Sequence, residues 1–219
     1  MRNKISVDII IPCYKSKNKL YASLFSIGLD EPVHVILVDD GANDNYDEII
    51  SMFQPFFSIE VIYLDKNYGP GIARNYGIDA ATHDYIIFLD CGDVFVTPHT
   101  IRTMIDDISK DPEIYMISYA HLEEESDTSM LYTAAINNRF HGKIYKRTFL
   151  KLYDLKCNPA CPRINEDIGF NTIIRYLQED WKKYNTNHFI NDNEIATVAW
   201  KYHKDSIVRS NKCIYSYAH

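Results

Sequence analysis

No apolar run in the chain approaches the roughly 18–20 residues that a helix needs to cross a bilayer, and no basic-then-apolar leader opens it. The run VDIIIPCY is far too short for either role and reads as a strand. These absences lead to the expectation of a cytoplasmic protein, with peripheral attachment to a membrane left open. A surplus of positive charge is missing as well: 23 Lys and Arg stand against 30 Asp and Glu, a formal net charge of −7. That balance argues against a general nucleic-acid binder, though not against a local basic groove. Cysteine is sparse. Cys13, Cys91, Cys157, Cys161 and Cys213 are odd in number and scattered, which fits reduced thiols. CNPAC at 157–161 has three residues between its thiols, and no nearby Cys or His completes a tetrahedral zinc set. It reads as a Pro-containing turn.

What is present suffices for a full core. Apolar residues make up 46% of 219 positions, the size of one sizeable α/β domain. Through residue 95 the pattern alternates. Apolar runs at 6–13, 33–40, 59–64 and 85–90 predict strands. Between them, Leu20, Leu24 and Ile27, then Ile49, Ile50 and Phe53, fall at helical spacing. Pro70 suits the first turn of a third helix, with Ala73, Tyr76 and Ala80 predicted on one face. Continuous apolar strands with interleaved helices predict a mostly parallel sheet covered on both sides. The second half is less regular. Residues 101–108 read as a helix, 113–120 as a strand, the acidic HLEEESDTS at 121–129 as a solvated loop, and 141–147 as a strand entering a short helix. Phe170, Ile173, Ile174 and Leu177 place a helix from about Glu166, and 194–202 reads as a late strand. No repeat or linker divides the chain. The expectation is one domain, 1–219, with a first half to about 95 and a smaller mixed region after it.

Such a sheet binds ligands at the carboxyl ends of its strands. Polar residues collect at those ends: Tyr14, then Asp39 and Asp40, then Lys66 and Asn67, then Asp90 and Asp93. The last pair is the sharpest. YIIFLDCGDVF drives a buried strand into two carboxylates, and ionised carboxylates are costly to bury unless paired or metal-bound. Either they lie in a solvated turn or something positive is held there. The glycine stretch NYGPGIARNYG at 67–77 is not a dinucleotide loop. Arg74 stands where the last glycine of G-x-G-x-x-G belongs, and the stretch follows the third strand rather than the first. It predicts a tight turn into a helix whose free N–H groups face an anion.

In order and spacing, IIIPCYKSKNKLYASLFSI, VILVDDGANDN, NYGPGIARNYGIDAATHDYIIFLDCGD and NEDIGF resemble the family-two glycosyltransferases of the GT-A fold. The family pattern is P-x-Y-N, V-D-D-G-S-x-D, N-x-G-x-x-x-A-R-N-x-G, F-L-D-x-D-D and an E-D pair; YHKDSIVR at 202–209 is similar to its closing segment. The resemblance implies a Rossmann-like GT-A sheet with a nucleotide-sugar half and an acceptor half. It implies transfer of a sugar, with inversion, from a nucleoside-diphosphate donor such as a UDP-sugar to an acceptor hydroxyl. Pro12 and Tyr14 would border the base, Asp40 with Asp39 would bind base or ribose, and Asn67 and Arg74 would contact the nucleotide. Asp90 and Asp93 would form the DXD-type metal motif for Mn²⁺ or Mg²⁺, and Asp167, with Glu166 beside it, would be the general base. His203 is a candidate third metal ligand, a surface histidine being the alternative. Gly92 departs from the family, whose D-x-D has Asp there; Lys15 and Ala42 replace the usual Asn and Ser.

The preferred acceptor is a glycan or surface polysaccharide. A second reading takes a hydroxymethylated DNA base, with Lys143, Lys146, Arg147, Lys151, Lys182 and Lys183 as a local basic surface. A third is a non-catalytic sugar-nucleotide binder, for which Gly92 speaks and the E-D pair does not.

Overall fold

The computed structural model describes residues 5–28, 32–111, 114–126, 129–133, 139–182 and 189–200. Four strands alternate with helices as the periodicity predicts: β1 Val7–Cys13, α1 Lys17–Phe25, β2 Val33–Asp39, α2 Asp47–Phe53, β3 Ser58–Tyr63, α3 Pro70–Ala80 and β4 Tyr85–Phe88. After them come β5 Val94–Phe95, α4 Thr100–Ile108, β6 Met116–Ser126, β7 Ser129–Thr133, β8 Lys143–Lys146, α5 Arg147–Leu152, α6 Glu166–Lys182 and β9 Phe189–Trp200. All strands join one sheet, in the order β3-β2-β1-β4-β8-β6-β9-β5, with β7 beside β6.

β1 pairs in parallel with β2 and with β4, and β2 with β3. Successive strand side chains point to opposite faces, so each strand feeds two cores. Ile9, Ile11, Val35, Leu37 and Ile87 lie in one buried cluster with residues of α1, α2 and α4. Ile10, Ile36, Val38, Ile86 and Phe88 lie in the other with residues of α3, α5 and α6. The fold is GT-A: a mixed sheet, parallel in its first half and flanked by helices.

Three expectations change. The stretch 121–126 is not a loop, since β6 continues to Ser126, pairing with β7 on one edge and, as far as Glu123, with β9 on the other. Backbone pairing on both edges outweighs its acidic composition. α3 does not bury Tyr76, which is 47% exposed; its buried face is Gly71, Ala73, Arg74, Gly77 and Ile78. A Cβ on Gly77 would stand 2.4 Å from Ile10 Cγ2, so β1 packs directly on that glycine and turns Tyr76 outward. The late strand begins earlier than expected, at Phe189.

Gly41, in the VDDG motif, shows how tightly the strand ends pack. Its φ is +77°, and a Cβ there would lie 2.2 Å from the carbonyl carbon of Lys66. Backbone meets backbone at this point, so neither can yield. We expect Gly41→Ala to cost about 2–5 kcal/mol, from left-handed strain plus overpacking, read as a lower urea midpoint at unchanged slope.

Candidate active site

The antiparallel strand β8 builds the centre of the site. It pairs with β4 as Tyr85↔Lys146, Ile86↔Tyr145 and Ile87↔Ile144. Continued in the same register, Asp90 falls opposite residue 141, and His141 is there. Its Nε2 is 3.0 Å from Asp93 Oδ2 and 3.8 Å from Asp90 Oδ2. Ligand atoms of Asp90, Asp93 and His141 all lie within 4.8 Å of one another. Burial pulls the imidazole pKa down, but the Asp93 hydrogen bond and the charges of Asp93 and Asp90 carry it above its ordinary value. The two carboxylates therefore face a cation site that a proton on His141 can satisfy.

Gly92 explains how Asp93 reaches the cluster. The Asp93 N–H donates to Asp90 O at 2.9 Å, closing a four-residue turn, and Gly92 has φ +106°. Positive φ at the third position is the demand of a type II turn, which favours glycine over aspartate. The turn is anchored from below, where Gly92 N–H donates to Ser23 Oγ at 2.8 Å. Cys91 Sγ lies 3.5 Å from Cys13 Sγ at the end of β1.

Arg74 ties this turn to α6. It is 3% exposed, and its guanidinium donates to Asp90 Oδ1 at 2.5 Å and to Glu166 Oε1 at 2.9 Å while lying 4.6 Å above the Phe140 ring. Burial raises the Asp90 carboxyl, but the charges of Arg74 and His141 and the Arg74 hydrogen bond together hold Asp90 below its ordinary value. For Glu166, burial wins over Arg74 and the pKa is raised. The next residue of the motif, Asn75, clamps the chain ahead of α6, bonding Cys157 O at 2.8 Å and Cys157 N–H at 2.7 Å.

Removing the arginine strands its partners. Arg74→Met should destabilise the fold by about 3 kcal/mol, the lower end for a broken buried pair because Asp90 is partly exposed. Glu166 already has a raised pKa in the folded protein. Without Arg74 it rises further, so the folded state binds more protons than the unfolded one, and the deficit shrinks as pH falls. Urea unfolding of both proteins at two pH values checks this.

The remaining nominated residues are placed as follows. Asp39 is fully buried and accepts from the N–H groups of Ala42, Asn43 and Asp44 at 2.6, 3.1 and 3.0 Å and from Tyr46 O–H at 3.0 Å. Four donors fill its lone-pair sites. Asp40 accepts from the N–H groups of Tyr68 and Gly69 at 2.7 and 2.8 Å, and burial raises its pKa despite them. Gly71 N–H donates to Pro162 O at 2.9 Å. The N–H groups of Tyr68 and Gly69 in the turn, and of Gly71 in the first turn of α3, are thus taken by the protein itself. Tyr14 is 42% exposed at the end of β1, beside half-buried Pro12, with Lys15 Nζ 5.2 Å from its ring centroid. Asn67 Oδ1 is buried without a hydrogen-bond partner among the described residues. Asp167, in the first turn of α6, is half-buried, and its Oδ1 accepts from Ile168 N–H at 2.8 Å. His203 lies outside the described residues. His141 is the residue that sequence reading missed. Its one signal was its place at the head of a strand, and nothing in HGKIYK gave that strand's direction.

The sites Asp90 Oδ2, Asp93 and His141 Nε2 fit a divalent ion: two hard oxygens and one imidazole nitrogen converge, with Asp90 Oδ1 already fixed by Arg74. Among the described residues no helix is long and apolar enough to cross a membrane.

Known proteins place this arrangement in a family. The poly-β-1,6-N-acetyl-D-glucosamine synthase of Staphylococcus epidermidis is 29% identical over 110 residues, 49% of this chain and 26% of that protein. The chain thus spans about a quarter of that relative's length. Among solved structures, S. aureus TarS 1-349 in complex with UDP-GlcNAc superposes with a TM-score of 0.73 at 20% identity, covering 91% of this chain and 59% of that one. The mannosyltransferase PcManGT from Pyrobaculum calidifontis, in complex with GDP-Man and Mn²⁺, gives 0.66 at 14% identity, covering 90% and 57%. The model for glycosyl transferase family 2 matches residues 8–168, from the start of β1 into α6, and the chain belongs to that family.

Proposed function

We propose that the chain transfers a sugar from a nucleoside-diphosphate donor, a UDP-sugar, to a hydroxyl of a glycan or polysaccharide acceptor, with inversion at the anomeric carbon. The observation that carries this reading is the Asp90–Asp93–His141 cluster, linked through Arg74 to the Glu166–Asp167 start of α6. It lies at the carboxyl end of the parallel strands, where such sheets bind ligands. The UDP-GlcNAc in TarS and the synthesis of poly-N-acetylglucosamine named for the curated relative support donor and acceptor class.

A divalent ion bound by Asp93, Asp90 Oδ2 and His141 would stabilise, as a Lewis acid, the charge that grows on the departing diphosphate; the imidazole favours Mn²⁺ over Mg²⁺. The chain's own residues do the rest. Tyr14, exposed at the mouth, offers its ring to the base, with Pro12 beside it. Asp39 and Asp40 act by holding their loops: their carboxylates fix the backbone of 42–44 and 68–69, and Asn67 Oδ1 remains an acceptor for the nucleotide. Arg74 holds Asp90 ionised and Glu166 in place. Asp167, not engaged by Arg74, takes the proton from the acceptor hydroxyl, whose oxygen then attacks opposite the leaving diphosphate.

A DNA acceptor receives less support. Lys143, one of six residues of the supposed basic surface, is 2% exposed and donates to Arg139 O. Lys183 and the side chain of Lys182 lie outside the described residues. The test is nucleotide release from UDP-, GDP-, dTDP- and CMP-sugars with oligosaccharide or hydroxymethylated DNA as acceptor, and the anomeric configuration of the product. UDP release with a glycan and inverted product supports the reading; release only with DNA, or none with any pair, overturns it.

A further inference from the structure

A second cluster sits at the amino ends of the strands, opposite the candidate active site, and the catalytic reading leaves it unused. Asp8 is the second residue of β1, an otherwise apolar strand, and is fully buried. It lies five residues from Cys13, about 16 Å back along the strand from the candidate active site. A buried carboxylate needs compensation, and Asp8 receives it in an unusual form. Oδ2 accepts the N–H groups of Thr82 and His83 at 2.8 and 2.7 Å, which fix the plane of the carboxylate. Oδ1 faces two imidazole nitrogens, His34 Nδ1 at 2.8 Å and His83 Nδ1 at 2.7 Å. Parallel register sets His34 directly beside Asp8, and His83 comes from the turn between α3 and β4.

We propose that Asp8, His34 and His83 form a second metal site, for Zn²⁺ or a neighbouring first-row transition ion, that fastens β1, β2 and the α3–β4 turn. Three ligand atoms from three chain segments lie within 4.8 Å of one another. Tetrahedral ligands about 2.1 Å from an ion stand about 3.4 Å apart. Parting each imidazole from Oδ1 by about 0.6 Å therefore makes room for an ion in place of two protons. Two nitrogens and one oxygen suit zinc-like ions rather than Mg²⁺ or Ca²⁺. The surroundings fix the carboxylate and place a second carboxylate near one imidazole. The second oxygen of Asp8 is held by backbone N–H groups, and Glu60 Oε2, 3.8 Å from His34 Nε2, stands within a short side-chain movement of hydrogen bonding behind that imidazole. The His83 side chain is 33% exposed, so an ion and a water for the fourth position can enter from solvent.

The test uses the full, tag-free chain carrying Asp93→Asn, so that the Asp90–Asp93–His141 cluster does not compete. After chelator treatment, Zn²⁺ alone is titrated calorimetrically into this protein and into versions also carrying His34→Gln or His83→Gln. One Zn²⁺ per chain is expected, with affinity lowered more than about 100-fold by either glutamine, beyond the range for losing a supporting partner. Co²⁺ as a probe should give visible absorption that His83→Gln removes, and Mg²⁺ should give no heat. Far-UV circular dichroism in chelator, unchanged in His83→Gln, separates loss of the site from loss of the fold. No Zn²⁺ binding, or binding unchanged by both glutamine variants, would show a hydrogen-bonded clasp only and overturn the proposal.

Discussion

Asp167→Asn is expected to lower kcat by about 10²–10⁴-fold, the range for losing a positioned general base, with donor KM changed only a few-fold. Asparagine keeps the size of the side chain and an oxygen that can accept from the Ile168 N–H, but it cannot take a proton. The contrast with its neighbour makes the expectation specific. Glu166 is 11% exposed and held by Arg74 at 2.9 Å, so Glu166→Gln should act chiefly through the fold. Its melting temperature should fall more than that of Asp167→Asn. Steady-state kinetics and thermal unfolding of both variants decide the matter. If Glu166→Gln abolishes turnover in a fully folded protein while Asp167→Asn does not, the roles are reversed.

Asp93→Asn is expected to reduce kcat/KM by about 10²–10³-fold and to remove any stimulation by Mn²⁺, since a metal acting on a leaving group is worth several kcal/mol. Asp93 is 3% exposed and bonded to His141 at 3.0 Å, and the turn that presents it depends on Gly92 rather than on its own charge. The variant should fold. A chelator should reproduce its loss of activity in the wild type and have little further effect on the variant. Activity of Asp93→Asn equal to that of the wild type would place the divalent ion elsewhere.

The sequence conveyed some parts of this site well and others poorly, for physical reasons. β1, β2 and β4 are buried on both faces, so their apolar runs announce them and their carboxyl ends announce Tyr14, Asp39, Asp40 and Asp90. Helix periodicity likewise gave α6, with Glu166 and Asp167 in its first turn. Direction and register are different. Whether HGKIYK runs with or against β4 depends on long-range pairing, and that pairing brings His141 to Asp90. The acidic 121–126 stretch misled because backbone pairing on two edges, not alternating hydrophobicity, makes it a strand. For Arg74, expected at the nucleotide, the sequence shows a charge but not the two carboxylates, 16 and 92 positions away, that enclose it. Asp8 passed unnoticed inside an apolar run, although a charge in such a strand is itself a sign that partners converge there.

The most direct measurement is a calorimetric titration of UDP into the wild-type chain with Mn²⁺, with chelator, and into Asp93→Asn with Mn²⁺. One UDP per chain, bound with Mn²⁺ and lost or greatly weakened in the other two, is the expected result. Equal UDP binding in all three, or none with Mn²⁺, would contradict a donor site built on Asp90, Asp93 and His141.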